Sequence, residues 1–214
     1  MNIFKKIAER VIIGIGKVHW KTSTQLSDAD QQKIRELLVD NYYVILTRRK
    51  NHLSTFFVGL ANFALTFKWG TWSHALMNLE DKAYHDSDFR IVAMGNTREL
   101  MESTGEGVHV TPFEQVFDVH AAALLKPKNM TLAEWTTLLD RAKSQLGKKY
   151  DTLFNLASDQ ELSCVELVRV TLQGLPDYAE KFPNFEALIK KRKNLTPQMF
   201  YDCGDFEVVF EARV

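Results

Sequence analysis

The apolar residues of this chain keep one spacing up to about residue 127 and another beyond it, and that change restricts the fold more than any single motif. Before it come short β-branched and aromatic runs: "YYVILTRR" (42–49), "WSHALMNLE" (72–80), "FRIVAMG" (89–95), "ELMES" (99–103), "GVHVTPFEQVF" (107–117) and "VHAAALLKP" (119–127). Turn-forming stretches such as "HDSD" and "STGEG" separate several of them, so each reads as a strand. After it the period is helical. "TLAEWTTLLDRAKSQLGKKYD" opens on Thr131 with Glu134 three residues on and carries Gly147 near its end, the signs of a capped helix. "SCVELVRVTLQGLP" is a second helix, closed by Gly174 and Pro176, and "PNFEALIKKRKN" a third. The tail "CGDFEVVFEARV" returns to strand character. A run of strands, then helices, then a closing strand describes an α+β fold on an antiparallel sheet. One more helix precedes the strands in "SDADQQKIRELLVDN", with Ser27 and Asp30 spaced as a capping box. No internal repeat or low-complexity linker divides the chain, so the expected organisation is an N-terminal helical arm over 1–40 and one domain over 41–214.

Charge and composition remove several functional classes. Lys+Arg and Asp+Glu are both 27 in 214 residues, so no net field draws the chain to nucleic acid. Two cysteines are too few for a disulfide framework, and reduced thiols in a cytoplasmic compartment are expected. Lys5 and Lys6 precede an apolar run as in a signal peptide, but Glu9 and Arg10 interrupt it and no small-x-small site follows. The stretch from Leu53 to Phe67 is short of the roughly 20 residues a membrane span needs. Leu53, Phe56, Phe57, Leu60, Ala64 and Phe67 recur at helical spacing, which suits an amphipathic helix with possible lipid contact.

Cys164 stands where the loop before the second long helix ends. Helical periodicity places Leu167, Val168, Thr171, Leu172 and Leu175 on one face and turns Glu166, Arg169 and Gln173 elsewhere, so Cys164 looks inward. Read that way, it is an inert core thiol. The helix start gives a second reading. If Ser163 is the N-cap, boxed with Glu166, Cys164 is the first helical residue and lies beside the free N–H groups and positive dipole end, a setting that favours a thiolate. A rival start at Ser158, boxed with Glu161, would bury it one turn deeper.

A nucleophilic cysteine needs a base, and all six histidines (His19, His52, His74, His85, His109 and His120) lie upstream of both cysteines. Any cysteine–histidine pair must therefore run histidine first. His74 shares a strand face with Trp72 and Leu76 and is the best-placed base. His109 alternates with apolar neighbours and is the reserve base or orienting group, and Glu102 is a carboxylate available to orient the base. His85 sits among Asp86 and Asp88 in a turn. Cys203, in "FYDCGDF", has only eleven residues after it and reads as structural. No metal-ligand spacing, Gly-rich phosphate loop or Gly-x-Ser-x-Gly elbow is present in the sequence, so no cofactor is expected.

Taken in order, "WSHALM", "ELMESTGEGVHVTPF", "LGKKYDTLF", "LSCVELV" and "LTPQMFYDCGDFEVVFE" resemble the circularly permuted NlpC-type papain-like cysteine hydrolases, in their YiiX-like branch, over roughly residues 40 to 210. The resemblance implies a permuted papain-like fold, with an antiparallel sheet or half-barrel packed against helices. It implies Cys164 as nucleophile, His74 as base and Glu102 as the orienting third residue, with Tyr150, Asp151 and His109 around the substrate. The implied reaction is cleavage of a peptide or peptidoglycan-type amide through a thioacyl-enzyme. A lipid acyltransferase, thioesterase or phospholipase, and a binding protein without catalysis, are the alternatives. The expected partner is a small peptide, amide or acyl substrate. Val165 and Ser103 depart from the family pattern, which commonly has a small or hydroxyl residue at the first position and alanine at the second. The apolar insert before Trp72 has no place in that pattern.

Overall fold

The computed structural model describes residues 25–38, 42–48, 70–78, 99–151, 160–192 and 195–214. The expected strand 89–95, the apolar stretch 53–67, His19, His52, His85 and residues 1–24 and 39–40 of the N-terminal arm lie outside them.

Among the described residues the chain order is α1 (Asp28–Leu38), β1 (Val44–Arg48), β2 (His74–Asn78), β3 (Glu99–Thr104), β4 (Gly107–Pro112), α2 (Phe113–Val116), β5 (Ala121–Pro127), α3 (Leu132–Lys143), α4 (Cys164–Leu172), α5 (Tyr178–Lys181), α6 (Pro183–Arg192), α7 (Pro197–Asp202) and β6 (Phe206–Arg213). This is an α+β fold. The strands form one sheet in the order β4-β3-β2-β1-β5-β6, with antiparallel pairing throughout. β1 lies at its centre and is buried from Val44 to Thr47. A strand covered on both faces needs apolar side chains in both directions, and "VIL" supplies them. Val44 and Leu46 join the cluster under α3, α4, α6 and α7. Ile45 joins the cluster on the other face with Ile34 and Leu38 of α1 and Phe113 of α2. β5 repeats the division, with Ala123 and Leu125 on one side and Ala122 and Leu124 on the other.

Local chemistry accounts for the helix ends. Thr131 and Glu134 close a capping box at α3. At α1 the Asp30 amide donates to Ser27 Oγ and the Ser27 hydroxyl donates to Asp30 Oδ2. One expected strand is shorter than its sequence suggests. The run 107–117 ends as a strand at Pro112, which takes φ −60° and ψ 145° and starts α2. Proline has no N–H to continue the ladder and its fixed φ suits a helix entry. The short helices α5 and α7 are not marked by periodicity, because four to six residues span too few turns to show one. α4 is buried on more sides than expected: Glu166 is 4% exposed although its spacing turns it away from the core. It is drawn in because its carboxylate accepts from the Ser163 amide at 2.8 Å. Leu167, Val168 and Leu172 of α4 are fully buried and contribute roughly 1.5–3 kcal/mol each. No helix among the described residues is long and apolar enough to cross a membrane.

Residues 147–149 form a strap between the sheet edge and the start of α4. The Gly147 amide donates to Val108 O, Val108 N to Lys148 O, and Leu162 N to Lys149 O, at 2.9, 2.8 and 2.8 Å. Lys149 also bridges Glu161 in parallel fashion. Gly107 makes this approach possible: its φ is +96°, and a Cβ there would lie 2.4 Å from Lys148 O.

Candidate active site

α4 begins at Cys164, and the Ser163 N-cap is the start the structure adopts. Glu166 N donates to Ser163 Oγ at 3.4 Å, and Ser163 N donates to the Glu166 carboxylate. Cys164 is thus the first helical residue, buried at 4% exposure, at the positive end of the helix.

His74 is the first residue of β2 and pairs with Thr47 of β1. The segment leading to it is pinned: Ser73 N donates to Thr47 O, and Thr71 N and Trp72 N both donate to Gln198 Oε1. The β2–β3 ladder holds Met77 against Met101 and Asn78 against Leu100. Beyond it the side chains of His74 and Glu102 join the two strands, with His74 Nε2 2.7 Å from Glu102 Oε2. Cys164 lies close enough to the imidazole for its charge to act on it. An ionised carboxylate only accepts, so Nε2 carries a proton.

Both oxygens of Glu102 are engaged. Oε1 accepts from Thr111 Oγ1 at 2.6 Å, and His109 Nε2 lies 3.4 Å from it. His109 sits directly across the ladder from Glu102, and its Nδ1 donates to Gly107 O at 2.9 Å. His109 therefore meets the acid and not the imidazole, and Glu102 is the residue in contact with His74.

These contacts set the charges. Burial by itself lowers the pKa of His74, but the negative charge and hydrogen bond of Cys164, then the hydrogen bond and charge of Glu102, raise it to about 10. Burial by itself raises that of Glu102, but the hydrogen bond and charge of His74, the Thr111 hydroxyl and the charge of His109 bring it down to about 2. The His74 side chain keeps 25% exposure and that of Glu102 keeps 12%, so the pair lies at the edge of the core and not within it.

Tyr150 and Asp151 follow the strap. Tyr150 is half-buried, and its phenol is pushed well above its ordinary range by burial and then by the charges of Cys164, Glu166 and Asp151. It stays a protonated donor next to the start of α4. Asp151 is buried at 2% exposure. Cys203 is buried away from this constellation, its Sγ 3.5 Å from Phe200 O, and burial pushes its thiol up to about 12. Thr111 is not singled out by the sequence. It lies across the ladder from Leu100, so its approach to Glu102 depends on the β3–β4 register, and the period-2 pattern shared by all these strands does not specify which residues pair.

No family model and no curated protein matches the chain. Among solved structures the fold is similar to that of the metalloprotein YiiX (DUF1105) from Escherichia coli O157:H7, with a TM-score of 0.53 and 20% sequence identity over 80% of this chain and 96% of that one. That structure is described as a metalloprotein. Among the described residues here, no three His, Cys, Asp or Glu side chains are placed to share a metal ion, and the carboxylate of Glu102 is already taken up by His74, Thr111 and His109. The described residues at this site do not form a metal-ligand set.

Proposed function

We propose that the chain is a cysteine hydrolase of permuted papain-like type that cleaves an amide through a thioacyl-enzyme. The observation that carries this reading is a single imidazole, His74, hydrogen-bonded to Glu102 at 2.7 Å and within the electrostatic reach of Cys164 at the start of α4. A thiol, a base and an orienting acid in that order are the parts that nucleophilic acyl transfer needs.

The reaction follows from the charges. The Cys164 thiolate attacks the carbonyl carbon while His74 is imidazolium, and the C–S bond forms as the carbonyl π pair moves onto oxygen. The Cys164 backbone N–H, at the first turn of α4 where it has no intrahelical acceptor, donates to that oxyanion. The intermediate collapses, the C–N bond breaks, and the imidazolium gives its proton to the leaving nitrogen. Neutral His74 then takes a proton from water as the oxygen attacks the thioester. Collapse of the second intermediate releases the carboxylic acid and the thiolate, and the imidazolium is restored. Glu102 keeps Nε2 protonated through both steps. Tyr150 and Asp151 shape the pocket beside the thiol, the phenol as a neutral donor.

Site-resolved mass spectrometry after treatment with a thiol-reactive amide substrate analogue tests the assignment. Cys164 is expected to carry the label, and Cys164→Ala to abolish it and to lower hydrolysis by on the order of 10⁴-fold or more. Labelling at Cys203 in place of Cys164, or unchanged hydrolysis by Cys164→Ala, would overturn the reading.

A further inference from the structure

Alternation along β3 sends Glu102 and the next residue, Ser103, to opposite faces of the sheet. Glu102 goes to His74. Ser103 goes to the face where Met101, Leu162 and Cys164 pack together. There it is 1% exposed, and its hydroxyl donates to Leu162 O at 2.5 Å, across 59 residues of sequence.

Leu162 lies two residues before Cys164. Its amide is already given to Lys149 of the strap, whose residues Gly147 and Lys148 are bonded to Val108 of β4. Both polar groups of the Leu162 backbone are thereby tied to the β3–β4 edge: the N–H through the strap, and the C=O directly by Ser103. A hydroxyl in this apolar cluster costs free energy unless its hydrogen bond is made. Alanine would pack at the position without that cost, so what the serine adds is a fixed direction and distance. The residue next to it in the chain presents the carboxylate that holds His74. One peptide unit of β3 thus joins the mount of the acid–base pair to the mount of the thiol.

We propose that Ser103 is a positioning residue that sets the separation between the Cys164 thiol and the His74–Glu102 pair by holding the Leu162 carbonyl. The inference rests on the reading of Cys164 and His74 as the reacting pair. The Ser103 hydroxyl bonds to the Leu162 carbonyl, so its effect passes through the backbone of residues 162–164.

The test compares the intact wild-type chain with Ser103→Ala and Ser103→Thr. Three quantities are read: thermal unfolding, the titration of the His74 ring followed by NMR, and site-resolved alkylation of Cys164 by iodoacetamide as a function of pH. In folded Ser103→Ala the His74 midpoint should move down toward its ordinary value, as the thiol drifts from the ring. Alkylation near pH 6 should slow by on the order of tenfold to a hundredfold. Ser103→Thr, which keeps the hydroxyl, should restore both. A folded Ser103→Ala with the wild-type His74 titration and alkylation profile would overturn the proposal and leave Ser103 a packing residue. If Ser103→Ala does not fold, Ser103→Cys keeps the volume with a weaker donor, and its His74 midpoint read by NMR decides in the same way. The parent reading fails separately. If the wild type hydrolyses no amide while His74 still responds to Ser103→Ala, the positioning link stands and the catalytic assignment falls.

Discussion

Glu102 is hydrogen-bonded by His74 and Thr111 at a position where most of its surface is covered, and that makes it the residue whose chemistry is easiest to perturb cleanly. Glu102→Gln keeps the shape and removes the charge. The His74 midpoint should then fall from about 10 toward its ordinary value, and kcat/KM for an amide substrate should drop by between about 10² and 10⁴-fold. An unchanged His74 titration in that variant would mean that Cys164 alone holds the imidazolium. Thr111→Val tests the outer contact. It leaves Glu102 Oε1 short of its 2.6 Å donor and should cost about 1.5–3 kcal/mol of stability, measured by urea denaturation. At this scale the sequence was informative about residue types and poor about partners. Cys164, His74 and Glu102 could be named from motif order, and the Ser163–Glu166 box from spacing. Thr111 could not, and His109 looked equally able to serve the base or the substrate. Which of two histidines makes the 2.7 Å bond to the carboxylate depends on the strand register and the ends of the ladders, and neither is encoded locally.

The elements that matter for the site are β3, β4 and α4, with the strap of residues 147–149 joining them. Gly107 lies against the strap, and its left-handed φ is combined with a would-be Cβ only 2.4 Å from Lys148 O. Gly204 has a similar φ of +85° with no atom within 4 Å of its would-be Cβ. The two glycines separate conformational strain from steric blockage. Gly204→Ala should lose about 1–2 kcal/mol, the usual cost of a left-handed residue with a side chain. Gly107→Ala should lose more, and should also slow alkylation of Cys164 because the strap carries Leu162. Equal losses in denaturation would count against a positional role for the strap. Helix starts were legible because capping boxes are contained within four residues, and α3 and α4 both begin where their boxes lie. The end of β4 was not read correctly, although Pro112 was in plain view, because the apolar alternation continues through it into α2.

For the whole molecule, the titration of the site sets a pH window for stability. His74 is raised, so its contribution is complete below its ordinary value of 6.5 and drains away as pH rises toward about 10. Glu102 is depressed, so its contribution is complete above its ordinary 4.5 and is lost as pH falls toward about 2. The two overlap between pH 4.5 and 6.5. The stability difference between wild type and Glu102→Gln, taken from denaturation curves across pH, should peak in that interval and shrink on both sides. A difference that stays flat from pH 3 to 10 would show that the folded state does not hold this pair of charges. The sequence by itself determined the class of the fold, since apolar spacing reports which side chains face a core, and the order of cysteine and histidines, since order is covalent. It also marked the first residue of α4 through Ser163 and Glu166. Tertiary structure decided the rest: that the sheet is covered on both faces, that β2 and β3 are bridged by His74 and Glu102 where their ladder stops, and that Leu162 is tied to β3 and the strap. These are contacts between segments far apart in the chain, 59 residues for Ser103 and Leu162, and their geometry is set by the packing of the whole core, which no local pattern carries.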